Sequence, residues 1–453
     1  MASAVSAYRT RDYREARSRL LRALALAEPF GPADVRLATT LNNLGLAEHA
    51  LGELEPATAA FTRALAIAEK ALGSEHADVA TIANNLAAAE AEAGRTARAE
   101  SLYRRALQVR ERALGATHPE VATILNNLGD LLRKQARFTE AEPLLRRAIS
   151  LRKAAYGEAD ARVAAAAQTL ALLEQDRGHF GEAAALFEDA LRTQERALGR
   201  EHPEVAATLN NFGEMRRQQR QYAQAEPLLR RALAIREQSA GVAPDELAAT
   251  LNNLGILYHE QGRYRDAEAL LRRALEIRSG GQASARRLAV TLKVLAELYQ
   301  IQGRYAEAEP LFERSLQESE RGHGAESAQA ADALARLAAL RHFQQRYAEA
   351  ERLLLRALAI REKVRGAAHA EVADALKNLA ELYRAQNLYA KAEPVYLRLL
   401  ALQERLDGRH HASVAVTLEN LVELYQATRS ADRESAMRAR LEEVRAALAR
   451  RQP

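Results

Sequence analysis

The pattern of apolar and polar positions along the chain predicts amphipathic helices that come in pairs. One face of the first helix in such a pair is formed by Leu41, Leu44, Gly45 and Glu48. In the second helix, the same steps of three and four residues recur at Ala57, Phe61, Ala64, Leu65 and Ala68. This spacing places each set on one side of an α-helix, and small residues such as Gly45 and Ala57 allow the two helices to approach closely.

The paired segments repeat along the chain. The string LNNLG or a relative of it begins at residues 41, 83, 125, 167, 209, 251, 292, 334, 376 and 418. Every step is 42 residues except the one from 251 to 292, which is 41. A second string, such as GRYRDAEALLRRALEI at Gly262 to Ile277, follows each first string, and one copy precedes residue 41. A fixed period of this length predicts a solenoid with a shortened first repeat and ten more.

One complete repeat carries a recognisable signature. Residues Leu251 to Ala274 follow the pattern L-x-x-L-G-x-x-Y-x-x-x-G-x-Y-x-x-A-x-x-x-L-x-x-A, which resembles the tetratricopeptide repeat family. The 42-residue period and the linker ALGxxHPEVATxLNNL at Ala113 to Leu128 are similar to the kinesin-light-chain subtype. The resemblance covers nearly all of the chain and implies an all-α, right-handed α-solenoid of about eleven stacked antiparallel helix pairs, with first helices lining a concave groove. We expect a free-standing repeat protein, without the coiled coil that precedes the repeats of kinesin light chains.

Differences between the repeats predict a division of the chain. Terminal units of a solenoid need a polar outer face and are therefore atypical. Gly280 and Gly281 coincide with the 41-residue step and indicate a hinge. We expect, in order, a truncated N-terminal capping repeat (1–29), repeats with an asparagine-rich groove (30–278), an irregular linker (279–284), repeats with a charged groove (285–428) and a C-terminal capping helix (429–453).

Composition excludes several classes of function. The chain has 65 Lys and Arg against 60 Asp and Glu, a net charge of +5 over 453 residues, and this weak field argues against nucleic acid and membrane surfaces as partners. It has no cysteine, which excludes disulfides, thiolate metal sites and cysteine nucleophiles. The N-terminal residues do not form an apolar signal segment, and no stretch of about 18 apolar residues follows. We therefore expect a cytoplasmic protein.

The sequence contains no catalytic or cofactor-binding motif. A phosphate-binding glycine loop, a Ser/His/Asp set and an HExxH string are all missing, so we expect neither an enzyme nor a cofactor. Five histidines share one linker position, each a whole repeat from the next and so too distant to share an ion. We expect no metal site, and we expect each of these histidines to bond the start of the following helix: His76, His118, His202, His369 and His410.

Recurring asparagines are the candidate binding residues. An amide both donates and accepts hydrogen bonds, so it can pair with the backbone of an extended peptide, and the resemblance implies this role for the second asparagine of each pair. The alternative is that each amide bonds a neighbouring repeat and holds the stacking angle. The second-position residues are Asn43, Asn85, Asn127, Asn211, Asn253, Asn378 and Asn420, and the first-position residues are Asn84, Asn126, Asn210 and Asn252.

Charged residues replace the asparagines towards the C-terminus. The second position becomes Thr169, Val294 and Arg336 in three repeats. Mixed charges along the groove suggest a partner segment that is itself of mixed charge, whereas ordinary solvated helix faces are the alternative for each residue. The cations that we expect in the groove are Lys134, Arg217, Lys293, Arg336 and Lys377.

Arginine pairs on the second helices, such as Arg104 and Arg105, lie close to glutamates. They predict a solvated outer face with i,i+4 ion pairs. A face that follows a nucleic-acid backbone is the alternative, but such faces normally add stacking aromatics.

Together these features predict a non-enzymatic scaffold that binds a protein or peptide in its groove. A regulatory or sensor subunit, whose solenoid changes shape on ligand binding, is the alternative motivated by the hinge. Self-association is the third hypothesis, and an enzyme is the class that we favour least.

Overall fold

The computed structural model describes residues 2–9, 12–31, 33–239, 242–280 and 285–450. Within these residues the chain is all-α, with 22 α-helices, one 3₁₀ turn at Glu28–Phe30 and no β-strand. The chain forms two compact units, a first unit at Met1–Ala283 and a second unit at Ser284–Pro453. None of the described helices is long and apolar enough to cross a lipid bilayer.

Consecutive helices pack as pairs, and each pair is one repeat. The first unit holds seven pairs and the second unit four among the described residues, which confirms the predicted eleven. In the first unit the helices are α1 (Ala2–Arg9), α2 (Tyr13–Ala27), α3 (Val35–Ala50), α4 (Leu54–Leu72), α5 (Ala77–Glu92), α6 (Thr96–Leu114), α7 (Pro119–Lys134), α8 (Phe138–Tyr156), α9 (Ala161–Asp176), α10 (Phe180–Leu198), α11 (Pro203–Gln218), α12 (Tyr222–Gln238), α13 (Pro244–Glu260) and α14 (Tyr264–Gly280). In the second unit they are α15 (Ala285–Ile301), α16 (Tyr305–His323), α17 (Ala328–Phe343), α18 (Tyr347–Arg365), α19 (Ala370–Ala385), α20 (Tyr389–Leu406), α21 (Ala412–Ala427) and α22 (Ala431–Ala449).

Close contact within a pair depends on a small residue in the first helix. A Cβ atom on Gly129 would lie 2.6 Å from Cδ2 of Leu145, and one on Gly213 would lie 2.7 Å from Cγ of Leu229. Both leucines are fully buried and cannot move aside. The close approach that we expected at Gly45 is confirmed in the same way, because Phe61 occupies the space beside it.

Linker histidines cap the first helices, as the sequence predicts. In each case Nδ1 accepts a hydrogen bond from the backbone N–H two residues later, which satisfies one free donor of the helix start. In the last repeat, His411 and not the expected His410 has this role, because it stands three residues after Gly408, as His118 does after Gly115. The capping histidines are His76, His118, His202, His369 and His411.

The predicted linker at 279–284 is described only at its start. Ser279 and Gly280 are the last residues of α14, whereas residues 281–284 lie outside the described residues. The hinge at Gly280 and Gly281 therefore stays a prediction.

Candidate functional site

The candidate surface, here called the first-helix face, is formed in each unit by the solvent-facing side of the first helices of the repeats. In the first unit these helices are α3, α5, α7, α9, α11 and α13, and each contacts the next. In the second unit they are α15, α17, α19 and α21, and neighbours there make at most marginal contact. We call the surface closed in the first unit, where the first helices contact each other, and open in the second, where ion pairs such as that of Lys293 with Asp332 bridge them.

Asparagine side chains bridge neighbouring first helices of the first unit. Asn85 Nδ2 on α5 donates a hydrogen bond to Asn42 Oδ1 on α3 at 3.0 Å. The same bond joins Asn127 to Asn84 at 3.1 Å and Asn253 to Asn210 at 3.2 Å. We call these three bonds the amide ladder. They are the contacts that the stacking alternative requires, since the second asparagine of one repeat holds the first asparagine of the repeat before it.

The amide ladder is interrupted at helix α9, where Gln168 and Thr169 replace the asparagine pair. As a result, Oδ1 of Asn126 on α7 is buried without a hydrogen-bond partner among the described residues. The Oδ1 atom of Asn252 on α13 is also buried without a hydrogen-bond partner among the described residues. On the far side of α9, Asn211 accepts a hydrogen bond only from its neighbour Asn210, at 3.4 Å.

Besides Asn126 and Asn252, three predicted amides make no side-chain hydrogen bond with another described residue. Asn43 on α3 and Asn420 on α21 are half-buried, and Asn378 on α19 is exposed. Their donors and acceptors remain available to a bound molecule to the extent that solvent reaches them.

Predicted groove cations of the first unit are engaged in ion pairs. Lys134 Nζ lies 2.8 Å from Asp130 on the same helix. Arg217 lies 2.6 Å from Glu214 and also pairs with Glu260 on the next first helix. The side chain of Arg217 is only 14% exposed. It therefore links two repeats through its ion pairs and presents little charge to solvent.

Two cavities separate the first helices of the second unit. One, of about 590 Å³, lies between α17 and α19, and the other, of about 400 Å³, lies beside α15, α16 and α17. The larger cavity has an apolar floor with Ala335, Ala339 and Leu382. Four predicted site residues line these cavities: Lys293, Arg336, Lys377 and Asn378.

Small residues between α16 and α17 explain the 400 Å³ cavity. In other repeats a glutamine of the second helix accepts a hydrogen bond from a threonine on the first helix of the following repeat. Thr208 donates to Gln194 and Thr417 donates to Gln403, both at 2.6 Å. At α16 and α17 these places are taken by Ser319 and Ala333. Both lie in the lining of the cavity.

The cations of the second unit stand at the rims of these cavities. Lys293 Nζ is 3.2 Å from Asp332, which is also 3.5 Å from Arg336. Lys377 has its nearest carboxylate, Glu381, at 4.0 Å, and its side chain is 51% exposed. Arg336 lies closest to Glu297 on α15, at 3.3 Å. The side chains of Arg336 and Lys377 are each 51% exposed, between the 64% of Lys134 and the 14% of Arg217 in the first unit.

Exposed apolar side chains add to the second unit's face. Phe343, at the end of α17, is 55% exposed and stacks on Tyr305 with ring centroids 6.0 Å apart. Ile301, one repeat earlier, is 56% exposed. In the first unit the same repeat position is mainly polar, for example Glu92 and Lys134.

One position of the first helix carries a charge of either sign, and Arg216 occupies it on α11 of the first unit. In the first unit Glu90 is fully buried and pairs with Arg95 and Arg98 at the start of the second helix. In the second unit the same position is Arg341, which pairs with Glu309 on the preceding helix. A buried charge that loses its partner is strongly destabilising, so each arrangement depends on its partners.

Glu309 is held ionised by its neighbours. Burial alone would raise its pKa, but hydrogen bonds from Gln344, Arg341 and Arg346 outweigh this effect and hold the pKa at about 2. By contrast, burial raises the pKa of Glu48, which has only the distant Arg17 as a counter-charge, 3.9 Å away.

The arginine pairs of the second helices have two roles. The first arginine of each pair makes the expected i,i+4 bond, as Arg104 does to Glu100 at 2.8 Å. The second bridges to the preceding second helix, as Arg147 does to Glu111 at 2.7 Å and Arg105 does to Glu69 at 2.5 Å. Glutamate and arginine 36 residues apart recur along the sequence, and this signal could have revealed the inter-repeat bridges.

Stacked helix pairs with small residues at the intra-pair contact define the class of α-solenoid repeat proteins. Models of the tetratricopeptide repeat match most of the chain, at residues 2–70, 78–154, 162–238, 247–279, 287–363, 329–405 and 371–437. The chain therefore belongs to the tetratricopeptide repeat family. No curated protein sequence matches it.

Several solved structures are similar to this chain. BtubC (BKLC) from P. vanneervenii is 23% identical, with a TM-score of 0.45 over 50% of this chain and 90% of that chain. A putative kinesin light chain from Podosopora anserina is 22% identical, with a TM-score of 0.38 over 46% of this chain and 98% of that one. The apo form of RapI is 14% identical, with a TM-score of 0.50 over 73% of this chain and 99% of that chain, a likeness of fold alone.

Proposed function

We propose that this protein is a non-enzymatic scaffold that holds a protein or peptide partner on its first-helix face, mainly in the second unit. Tetratricopeptide repeat proteins generally bind protein partners. The observation that carries the proposal is the pair of cavities between the first helices of the second unit, because they bring Lys293, Arg336, Lys377 and Asn378 together around space of side-chain size.

The amide ladder explains why the second unit is favoured. In the first unit a ligand backbone that bonded Asn85 or Asn127 would have to replace an existing hydrogen bond. Such an exchange brings little net free energy, since an intramolecular hydrogen bond contributes only about 0.5–1.5 kcal/mol. Asn378 and Lys377 have no comparable bond to give up.

The chemistry of the face indicates the kind of partner. Cations at Arg336 and Lys377 alternate with carboxylates at Asp332, Asp374 and Glu381 around the larger cavity. A segment of mixed charge with one large apolar side chain would match this rim and the apolar floor. We propose that such a partner is met in the cytoplasm.

Affinity capture with matched variants tests the proposal. The wild type is compared with Arg336→Glu/Lys377→Glu in the second unit and with Asn127→Ala/Asn211→Ala in the first, each with helicity checked by circular dichroism. We expect a protein that the wild type captures to be lost from the charge variant and kept by the asparagine variant. The opposite pattern would place the partner on the amide ladder, and equal capture by all three would place it away from the first-helix face.

A regulatory or sensor subunit is the second candidate, favoured by the division of the chain into two compact units. In this role ligand binding would change the dimensions of the molecule. Small-angle scattering with and without the captured partner would reveal the change, and an identical radius of gyration of the scaffold in both states would count against this role. Size-exclusion chromatography of the free chain separately tests self-association.

A further inference from the structure

The fifth repeat of the first unit contains a cluster of metal-ligating side chains that the scaffold function does not use. Glu174 is near the end of α9, His179 directly precedes α10, and Glu182 lies in the first turn of α10. One ligand atom from each lies within 4.8 Å of the other two. Nδ1 of His179 is 2.8 Å from Oε2 of Glu174.

One earlier repeat has a buried glutamate at the same position together with two arginines. Glu90 occupies the position of Glu174 two repeats before, and it is equally buried. It is neutralised by Arg95 and by Arg98, the latter at 3.1 Å. Two repeats later the buried carboxylate is kept, whereas the two arginines have become His179 and Glu182.

The remaining arginines do not restore the lost positive charge. Arg177 lies 3.2 Å from Oε1 of Glu174, but it is shared with Glu142 at 2.7 Å. Arg146 is likewise shared, between Glu142 at 3.0 Å and Glu182 at 3.2 Å. Three carboxylates thus share two guanidinium groups, and a carboxylate as buried as that of Glu174 needs a full counter-charge.

We propose that Glu174, His179 and Glu182 bind a divalent transition-metal ion, with Zn²⁺ as the best match. Imidazole nitrogen and carboxylate oxygen are both ligands that zinc accepts in proteins, whereas Mg²⁺ and Ca²⁺ prefer oxygen ligands alone. The ion supplies the positive charge that Arg95 and Arg98 supply in the earlier repeat. Arg177 is bonded to Oε1 of Glu174, which leaves Oε2 to the metal.

The site is accessible, and its three ligand atoms, which lie within 4.8 Å of one another, must adjust to coordinate an ion. The side chains of His179 and Glu182 are 53% and 46% exposed, so an ion and its remaining water ligand can enter. Zinc bonds of about 2.0–2.2 Å at tetrahedral angles place two ligand atoms about 3.3 Å apart. Nδ1 of His179 must therefore move away from Glu174 by roughly half an ångström, which a half-exposed side chain can do.

A metal here would fasten α9 to α10 in the repeat where the amide ladder is interrupted. Sequence reasoning missed this cluster because it searched for paired histidines, and two of the three ligands are carboxylates. His179 and Glu182 occupy the repeat positions of Arg95 and Arg98, and this correspondence becomes informative only once Glu174 is known to be buried.

Zinc titration of the chelator-stripped, full-length protein tests the proposal, with affinity read by competition against a chromophoric chelator. We expect one Zn²⁺ per chain, an affinity at least tenfold weaker in His179→Ala and in Glu182→Gln, and no binding of Mg²⁺ at equal concentration. His410→Ala is the matched control, because His410 pairs with Glu443 at 3.2 Å but belongs to no such group of three ligands among the described residues.

A second variant keeps the test independent of folding. The double change His179→Arg/Glu182→Arg recreates the arrangement around Glu90, so its midpoint of thermal unfolding should no longer respond to zinc, whereas that of the wild type should rise. The proposal is overturned if His179→Ala binds zinc as the wild type does, if His410→Ala removes the binding, or if the wild type shows no saturable binding below 1 mM.

Discussion

The two units use one repeat to make two different surfaces. In the first unit, first helices contact each other and are joined by the amide ladder and by ion pairs such as that of Arg217 with Glu260. In the second unit the corresponding helices leave cavities of about 400 and 590 Å³. The difference teaches that a few side chains at the helix contacts decide whether neighbouring repeats are joined by amide hydrogen bonds or leave a cavity between them.

Residue size and charge cause this difference, since the backbone pattern is shared. Ser319 and Ala333 remove a polar contact that Gln194 and Thr208 make elsewhere. Ala335 and Arg336 replace an asparagine pair. Each change shortens or redirects a side chain that would otherwise reach the next repeat.

The largest expected effect concerns the helix contact within a repeat. Gly213→Ala should lower the free energy of unfolding by about 1–3 kcal/mol, because its Cβ would lie 2.7 Å from Cγ of the buried Leu229. Urea denaturation followed by circular dichroism measures this. Ala338→Gly at the same place in the second unit is the control and should cost only about 1 kcal/mol. A gain in stability from Gly213→Ala would mean that helix propensity outweighs packing.

Acid should weaken the second unit through Glu309. Its pKa of about 2 in the folded chain is below the ordinary value of 4.5, so the stability that it contributes is present above about pH 4.5 and is lost as the pH falls towards 2. We expect Glu309→Gln to lower stability at pH 7 by roughly 1–2 kcal/mol, after allowance for solvent screening, and to have little effect near pH 2.

Unfolding midpoints measured from pH 7 to pH 2 in the wild type and Glu309→Gln provide the check. Parallel curves for the two proteins would contradict the role given to Arg341 and Arg346.

Completing the amide ladder should stabilise the first unit. Thr169→Asn places an amide donor where Oδ1 of Asn126 now lacks a partner, and we expect a gain of about 1 kcal/mol. Asn85→Thr is the reverse control and should lose a similar amount, because it removes the bond to Asn42. Hydrogen exchange of α7 and α9 measures the change locally, and slower exchange in Asn85→Thr than in the wild type would be inconsistent with the ladder.

The smallest expected effect lies in the turns between the helices of a repeat. Gln345 adopts φ 60°, where the first unit mostly has glycines such as Gly94 at φ 84°. Gln345→Gly should raise stability by about 0.5–1 kcal/mol, because glycine adopts positive φ without strain. Asn387→Gly should gain less, since asparagine tolerates this conformation. Thermal unfolding measures both, and a loss of stability in Gln345→Gly would contradict the argument.

The fold could be predicted from the sequence because its information is periodic and local. The 42-residue step, the helix faces and the position of Gly45 each depend on residues close together in the chain. The partners of the asparagines could not be derived in this way. Whether Asn127 meets a ligand or Asn84 depends on how far one helix is shifted against the next.

The cavities were still less accessible to sequence reasoning. The cavity beside Ser319 is left because the side chains around it are too small to fill the space, and no sequence motif is associated with such a cavity. The sequence does draw attention to Lys293, Arg336 and Lys377, because they stand where asparagine is expected, and their role in binding stays a prediction. The exposed Phe343 was missed, since one aromatic residue at the end of a helix carries no periodic signal.

Site-specific photo-crosslinking tests the central claim most directly. Ala88 on α5 and Ala339 on α17 share one repeat position, and a benzophenone side chain at either would face the same way along the first-helix face. With the captured partner present, the account predicts a crosslink from residue 339 and little or none from residue 88. An equal or stronger crosslink from residue 88 would contradict the division into a closed first unit and an open, partner-binding second unit.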